Sequence, residues 1–189
     1  MLLNEKIFSA LERIHTSSKS ALQRAGQSLG LSPLQAQIIF FVLLRGEANV
    51  SQLAEQLCVS KPTISDSVAA LLSKKLIKKI LGKEDARGYR AVLTTKGRSE
   101  AALLANYATP FQDSINALTE SQKQALWDAL LHLLQTMGVQ GLIPYQRMCL
   151  SCQHLARNVG SDAYYCRLME KPLPSEALRI DCDEHELVF

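Results

Sequence analysis

No run of apolar residues in this chain approaches the roughly 20 needed to span a bilayer. The opening stretch MLLNEKIFSALERIH is broken by Glu5, Lys6, Glu12 and Arg13, so it does not have the uninterrupted apolar centre of a secretory signal. The sequence is therefore read as soluble and cytoplasmic, with no membrane partner. Phosphate-cradling glycine loops are missing, as are H-E-x-x-H and G-x-S-x-G. The four histidines, His15, His132, His154 and His185, are scattered. Nothing here points to an enzyme. There is no internal repeat and no low-complexity tract. Cysteine is almost absent before residue 149: Cys58 stands alone there and reads as a small buried side chain.

What is present is ordinary in amount and uneven in place. The chain has 189 residues, 47% hydrophobic and 21% charged. That suits one domain of common size with an extension, and a core that needs no disulfides. The net charge is only +3, yet between Lys61 and Arg98 ten basic residues meet three acidic ones. The segment after Gln140 is slightly acidic. A local basic block of this kind suits a polyanionic partner.

Ile7, Leu11 and Ile14 recur at helical spacing, which predicts a helix from about Leu3 to Gln27, ended by Gly26 and Gly30. In SPLQ, Ser32, Pro33 and Gln35 form a capping box for a nearly all-apolar, central helix that Gly46 stops. NVSQLAEQL predicts a short helix capped by Ser51, and CVS a tight connection. Ser60 caps the next helix, with Pro62 in its first turn and Ile64, Val68, Leu71 and Leu72 inward. LIKKIL and YRAVLT read as strands of a hairpin with a long polar tip. A helix through GRSEAALLANYATPF follows, loosened at Pro110. A last helix starts at the Thr119–Gln122 capping box and runs through Leu126, Leu130, Leu133 and Met137. Helix, tight turn, helix and hairpin in that order make a mainly α, winged helix-turn-helix domain. Such a unit suits double-stranded DNA, since one helix fits a major groove about 12 Å wide.

VSQLAEQLCVSKPTISDSVAALLSKKLI followed by DARGYRAVLTTKG resembles the MarR family of winged-helix transcriptional regulators. Asp85, Arg87, Gly88, Leu93, Thr94, Lys96 and Gly97 follow that family's wing pattern, and the resemblance runs from about Ile7 to Gly138. It implies a homodimer, held by the flanking helices, on a pseudo-palindromic DNA operator, and regulation of transcription, with repression as the expected sense. It also implies that Lys61, Thr63, Ser65, Asp66 and Ser67 lie on the base-reading helix. Arg87 would enter the minor groove, oriented by Asp85, and Lys83, Arg90 and Lys96 would meet the backbone. A small apolar or phenolic effector is the alternative signal that the resemblance admits. Two residues depart from the pattern: Cys58 and Lys75 stand where glycine is common, so each is expected to alter the backbone slightly.

The resemblance does not cover the tail. With the boundary near Pro144, residues 1–140 form the winged-helix and dimerisation domain and 141–189 a cysteine-rich extension. The extension carries Cys149, Cys152, Cys166 and Cys182, spaced C-x2-C-x13-C-x15-C. In a reducing compartment such clusters are ligands or redox centres rather than disulfides. Four thiolates suit an iron–sulfur cluster, [4Fe–4S] or [2Fe–2S], which the apolar and aromatic neighbours would shield. The layout loosely resembles that of high-potential iron–sulfur proteins. Zinc is the alternative, with His154, Asp183 or His185 able to replace one cysteine. Metal-free thiols acting as a redox switch, and an electron-transfer protein docking through its winged helix, are further readings.

Overall fold

Residues 2–81, 89–144, 146–157 and 164–188 are described by the structure, a computed structural model. The chain divides into two compact units, Met1–Ser114 and Ile115–Phe189.

In the first unit α1 (Leu3–Ser28) leads into α2 (Pro33–Arg45), which starts at the Ser32–Gln35 capping box. α2 is central, as its apolar sequence requires: Ala36, Ile38, Ile39 and Val42 are buried. α3 (Val50–Gln56) and α4 (Lys61–Ser73) complete the helix-turn-helix. Leu53, Ile64, Val68 and Leu71 turn inward onto the same core. β2 (Ile77–Leu81) and β3 (Tyr89–Leu93) pair antiparallel. A two-residue strand, β1 (Glu47–Ala48), adds to the other edge of β3, so the order is β1-β3-β2. β1 is too short to show an alternating pattern, and sequence reading passes over it. α5 (Thr95–Ala105) packs behind the sheet.

Three sequence expectations are corrected in this unit. α3 is capped by Asn49, not Ser51: Asn49 Oδ1 accepts from Gln52 N at 2.8 Å, and Gln52 Oε1 accepts from Asn49 N at 3.0 Å. The helix through Pro110 breaks earlier, at a 3-10 turn over Asn106–Ala108, and Pro110 sits in the first turn of α6 (Thr109–Asn116), where a missing N–H costs nothing. Cys58 is exposed rather than buried. It occupies the left-handed position just past α3, at φ 52°, and Lys75 holds the same position past α4, at φ 59°. Each helix closes with the paired reverse bonds of a Schellman turn: Val59 N to Ala54 O and Cys58 N to Glu55 O, then Leu76 N to Leu71 O and Lys75 N to Leu72 O. The backbone that glycine would adopt is thus kept without glycine.

In the second unit α7 (Glu120–Val139) starts at the expected Thr119–Gln122 box. Three short strands, β4 (Leu155–Arg157), β5 (Tyr164–Cys166) and β6 (Lys171–Leu173), form an antiparallel sheet in that order. Leu131 of α7 shares one core with Met148, Cys149, Tyr164, Leu173 and Leu178, and Trp127 and Leu134 pack against it. Trp127 Nε1 donates to Ser175 O at 2.9 Å, and Gln135 Nε2 to Leu150 O at 2.9 Å. α7 therefore belongs with the tail, whereas the sequence boundary falls after it. Of the apolar residues expected along it, Leu126 and Leu133 are exposed, while Leu130 and Met137 are half-buried. Among the described residues no single helix is long and apolar enough to cross a membrane.

Gly97 is the tightest point of the first unit. A Cβ there would overlap the Leu76 carbonyl oxygen, which also accepts from Thr94 N at 3.0 Å. Gly97→Ala is expected to lose roughly 3 kcal/mol of stability in a denaturant melt. Gly138→Ala, where a Cβ meets nothing within 4 Å, should lose none. Lys75→Gly relieves a left-handed side chain and should raise stability by about 0.5–1 kcal/mol in the same melt.

Candidate DNA interface and four-thiol pocket

α4 is held by its buried face, and the opposite face is free for contact. Lys61, Thr63, Ser65 and Asp66 are exposed, and Ser67 is half-buried. The helix N-terminus is capped by Ser60, whose Oγ lies 2.8 Å from Thr63 Oγ1. Lys83, Asp85 and Arg87 of the expected wing tip lie outside the described residues. Part of the basic block is engaged internally. Arg90 Nη1 donates to Glu47 across the β1–β3 edge. Lys74 Nζ donates to Gly30 O at 2.6 Å and to Gln35 Oε1 at 2.8 Å. Lys79 Nζ stands 3.9 Å from the centre of the Tyr89 ring. Lys61, Lys75, Lys78 and Arg98 remain exposed. The outward positive charge is thus smaller than the sequence count implies, and it still surrounds α4 and the sheet edge.

The second unit brings all four late cysteines to one cavity of about 270 Å³. They arrive from separate local structures. Cys149 opens a 3-10 turn, Cys149–Ser151, and Cys152 follows it. Cys166 ends β5, paired with Leu155 and Lys171 on its two sides. Cys182 lies where the chain returns beside the first pair: Cys149 N donates to Arg179 O at 2.8 Å, and Cys182 N to Arg147 O at 2.9 Å. Arg147 fixes this return with its side chain as well. Its Nε donates to Asp181 Oδ1 at 3.0 Å and its Nη2 to Asp183 Oδ1 at 3.1 Å, so both neighbours of Cys182 are tied.

Cys149 is buried and the other three thiols are half-buried. Burial pushes the Cys149 thiol up; Cys182, Cys152 and Cys166 add to this, while the Arg179 N–H on its sulfur, at 3.2 Å, acts the other way. Of the three residues that spacing offered as a substitute ligand, His154 lines the cavity. Asp183 is taken by Arg147. His185 Nε2 lies 3.1 Å from Ser151 Oγ, with its proton affinity lowered first by burial. Among the described residues, no three His, Cys, Asp or Glu side chains are gathered as a single metal ion requires.

The MarR family model matches residues 29–88. A protein described as a MarR family transcriptional regulator from Listeria monocytogenes, in complex with a 26mer DNA, superposes at a TM-score of 0.61 with 18% identity, over 71% of this chain and 91% of its own. The fold is that of MarR family winged-helix proteins. A MarR protein from Peptoclostridium difficile gives 0.60 and 19% identity, over 74% of this chain and 94% of its own. Staphylococcus aureus MarR, in complex with salicylate and kanamycin, gives 0.60 and 16%, over 71% and 92%. No curated protein matches the chain. MarR family proteins are transcription regulators rather than enzymes, in keeping with the sequence reading.

The cysteines differ in access, and this can be read directly. In the native metal-free chain a maleimide should label Cys58 first and Cys149 about tenfold or more slowly. Peptide mapping of the labelled protein gives the order, and unfolding should remove the difference.

Proposed function

We propose that the chain is a homodimeric, DNA-binding transcriptional regulator, a repressor in sense, whose C-terminal thiols hold an iron–sulfur cluster that sets its affinity for the operator. The observation that carries the sensing half is the convergence of Cys149, Cys152, Cys166 and Cys182 on one cavity. The donor set supports the reading: four sulfurs and an apolar lining including Leu155, Leu168 and Met169. When bound, such a cluster supplies one-electron chemistry. The DNA half is supported by the family match, by the exposed face of α4 and by the cations around it. Lys61, Thr63, Ser65, Asp66 and Ser67 would meet DNA from α4, with Lys83, Asp85 and Arg87 on the wing.

A small-molecule signal is the second reading. It is favoured by a cavity of about 400 Å³ between α1 and the start of α6, lined by Thr16, Ser20, Arg24, Tyr107 and Phe111. A cation beside two aromatic rings suits an aromatic carboxylate.

The test is iron, zinc and acid-labile sulfide analysis of protein purified without oxygen, followed by binding to a duplex that the chain itself selects from a random pool. Iron with sulfide and a brown chromophore is expected, together with a change in DNA affinity of about 5- to 150-fold between cluster states. Cys149→Ser and Cys152→Ser chains should lose that dependence. About one zinc per chain without colour, or an affinity blind to all four cysteines, would sink the sensing reading. DNA release by an aromatic acid whatever the metal content would establish the second one. Lys61→Ala should weaken binding across sequences and lower the salt slope by about 1.

A further inference from the structure

Lys74 ends α4, the helix whose open face carries Lys61, Thr63, Ser65 and Asp66. In sequence it counts toward the basic block, yet its ammonium is engaged within the fold. Nζ donates to Gly30 O at 2.6 Å and to Gln35 Oε1 at 2.8 Å. Gly30 lies just past α1 in the left-handed conformation, φ 67°, in a turn closed by Gly30 N to Gln27 O and Leu31 N to Gly26 O. The last turn of α1 carries no basic residue of its own, so the Lys74 ammonium brings positive charge to that negative helix end. Gln35 Oε1 also accepts from Ser32 N at 3.3 Å, within the capping box that starts α2. One ammonium thus joins the end of α1, the start of α2 and the end of α4. The Lys74 backbone is held as well, with Lys96 Nζ donating to Lys74 O at 3.4 Å. To reach a phosphate, Lys74 would have to give up two charge-assisted bonds.

We infer that Lys74 is a positioning residue for the DNA-reading helix and not a phosphate contact: its ammonium fixes the end of α4 against the α1–α2 junction. This rests on the DNA-binding half of the reading given above and is independent of what the thiols hold. Ile64, Val68 and Leu71 grip α4 from within, but apolar packing is non-directional. Two hydrogen bonds at one end of the helix are directional and set its register. Base edges are read only in register, whereas attraction to the phosphate backbone tolerates a shift. Loss of the ammonium should therefore reduce discrimination between sequences more than it reduces charge-driven binding.

The experiment uses the full chain as wild type, Lys74→Met, Gln35→Met, the double variant and Lys61→Ala. Each is titrated over a range of salt against a duplex that the wild type selects from a random pool, and against a scrambled duplex of the same composition. A wild type that selects no duplex ends the DNA reading, and this inference with it. Lys74→Met should bind the selected duplex several-fold more weakly, with the scrambled-duplex affinity and the salt slope near wild type. Lys61→Ala, by contrast, should weaken both and lower the slope by about 1. Gln35→Met leaves the charge unchanged and should also lose discrimination. The double variant should fall short of the sum of the two single effects, as partners in one interaction do. The inference is overturned if Lys74→Met behaves like Lys61→Ala, if it equals wild type on both duplexes, or if the two single effects add in full. Should Lys74→Met fail to fold in a thermal melt, Gln35→Met decides alone. Weaker discrimination at the wild-type slope supports the inference; an unchanged chain, or a slope steeper by about 1 from a released lysine, overturns it.

Discussion

The second unit is built on one stripe of one helix. Three strands of three residues each cannot bury enough surface to hold themselves together, let alone hold four thiols at fixed places. Trp127, Leu131 and Leu134 of α7 supply the missing wall. Against it pack Met148 and Cys149 from one end of the tail, Tyr164 and Leu173 from the sheet, and Leu178 from the returning segment. The Trp127 and Gln135 hydrogen bonds fix this packing at two heights along the helix. Cys149 is thus part of the core and part of the cavity wall at once. Its position follows from hydrophobic packing before any ligand is considered.

The first unit solves a different problem, presenting a helix whose outer face is empty. α4 is gripped from within by Ile64, Val68 and Leu71, and its two ends are closed by a Ser60 cap and a Schellman turn at Lys75. Thr94 then joins the turn to the sheet and to α5: its hydroxyl accepts from Gly97 N at 2.9 Å and donates to Lys75 O at 2.7 Å. Gly97 has no side chain because the Leu76 carbonyl fills that space. A shift at this junction would reach both α4 and the strands of the wing. On the proposed reading, the rigidity that reading DNA would demand is concentrated there.

Much of this is legible in sequence, and the pattern of success has a physical cause. The Ser32–Gln35 and Thr119–Gln122 boxes and the Ser60 cap are interactions over three residues, so the letters alone specify them. α3 escaped because Asn49 and Ser51 are both competent caps, and only the backbone decides between them. Cys58 misled because cysteine is usually buried, while a residue past a helix end in left-handed conformation points outward whatever its type. The four-cysteine spacing marked a candidate site, but spacing carries no information on which segments return beside each other. The pairing of Cys149 with Arg179 and of Cys182 with Arg147 is long-range. Nor does it separate His154 from Asp183 and His185, which differ only in what else engages them.

α7 carries two apolar stripes. Leu126 and Leu133 lie about 100° around the helix from Trp127 and Leu134. Only the second stripe is covered within its unit. On the proposed reading the first stripe is what a second copy of the chain would cover. One rigid helix would then carry the thiol cavity's core on one side and the dimer contact on the other. Repacking around Cys149 on cluster loss would act on Leu131 and its neighbours, and through the helix on the face its partner holds. Coupling of this sort needs no contact between cluster and DNA, but it does require reciprocity: operator DNA must stabilise whichever cluster state it prefers, by the same free energy. A helix with a single apolar stripe could serve the tail or the dimer, but it could not couple them.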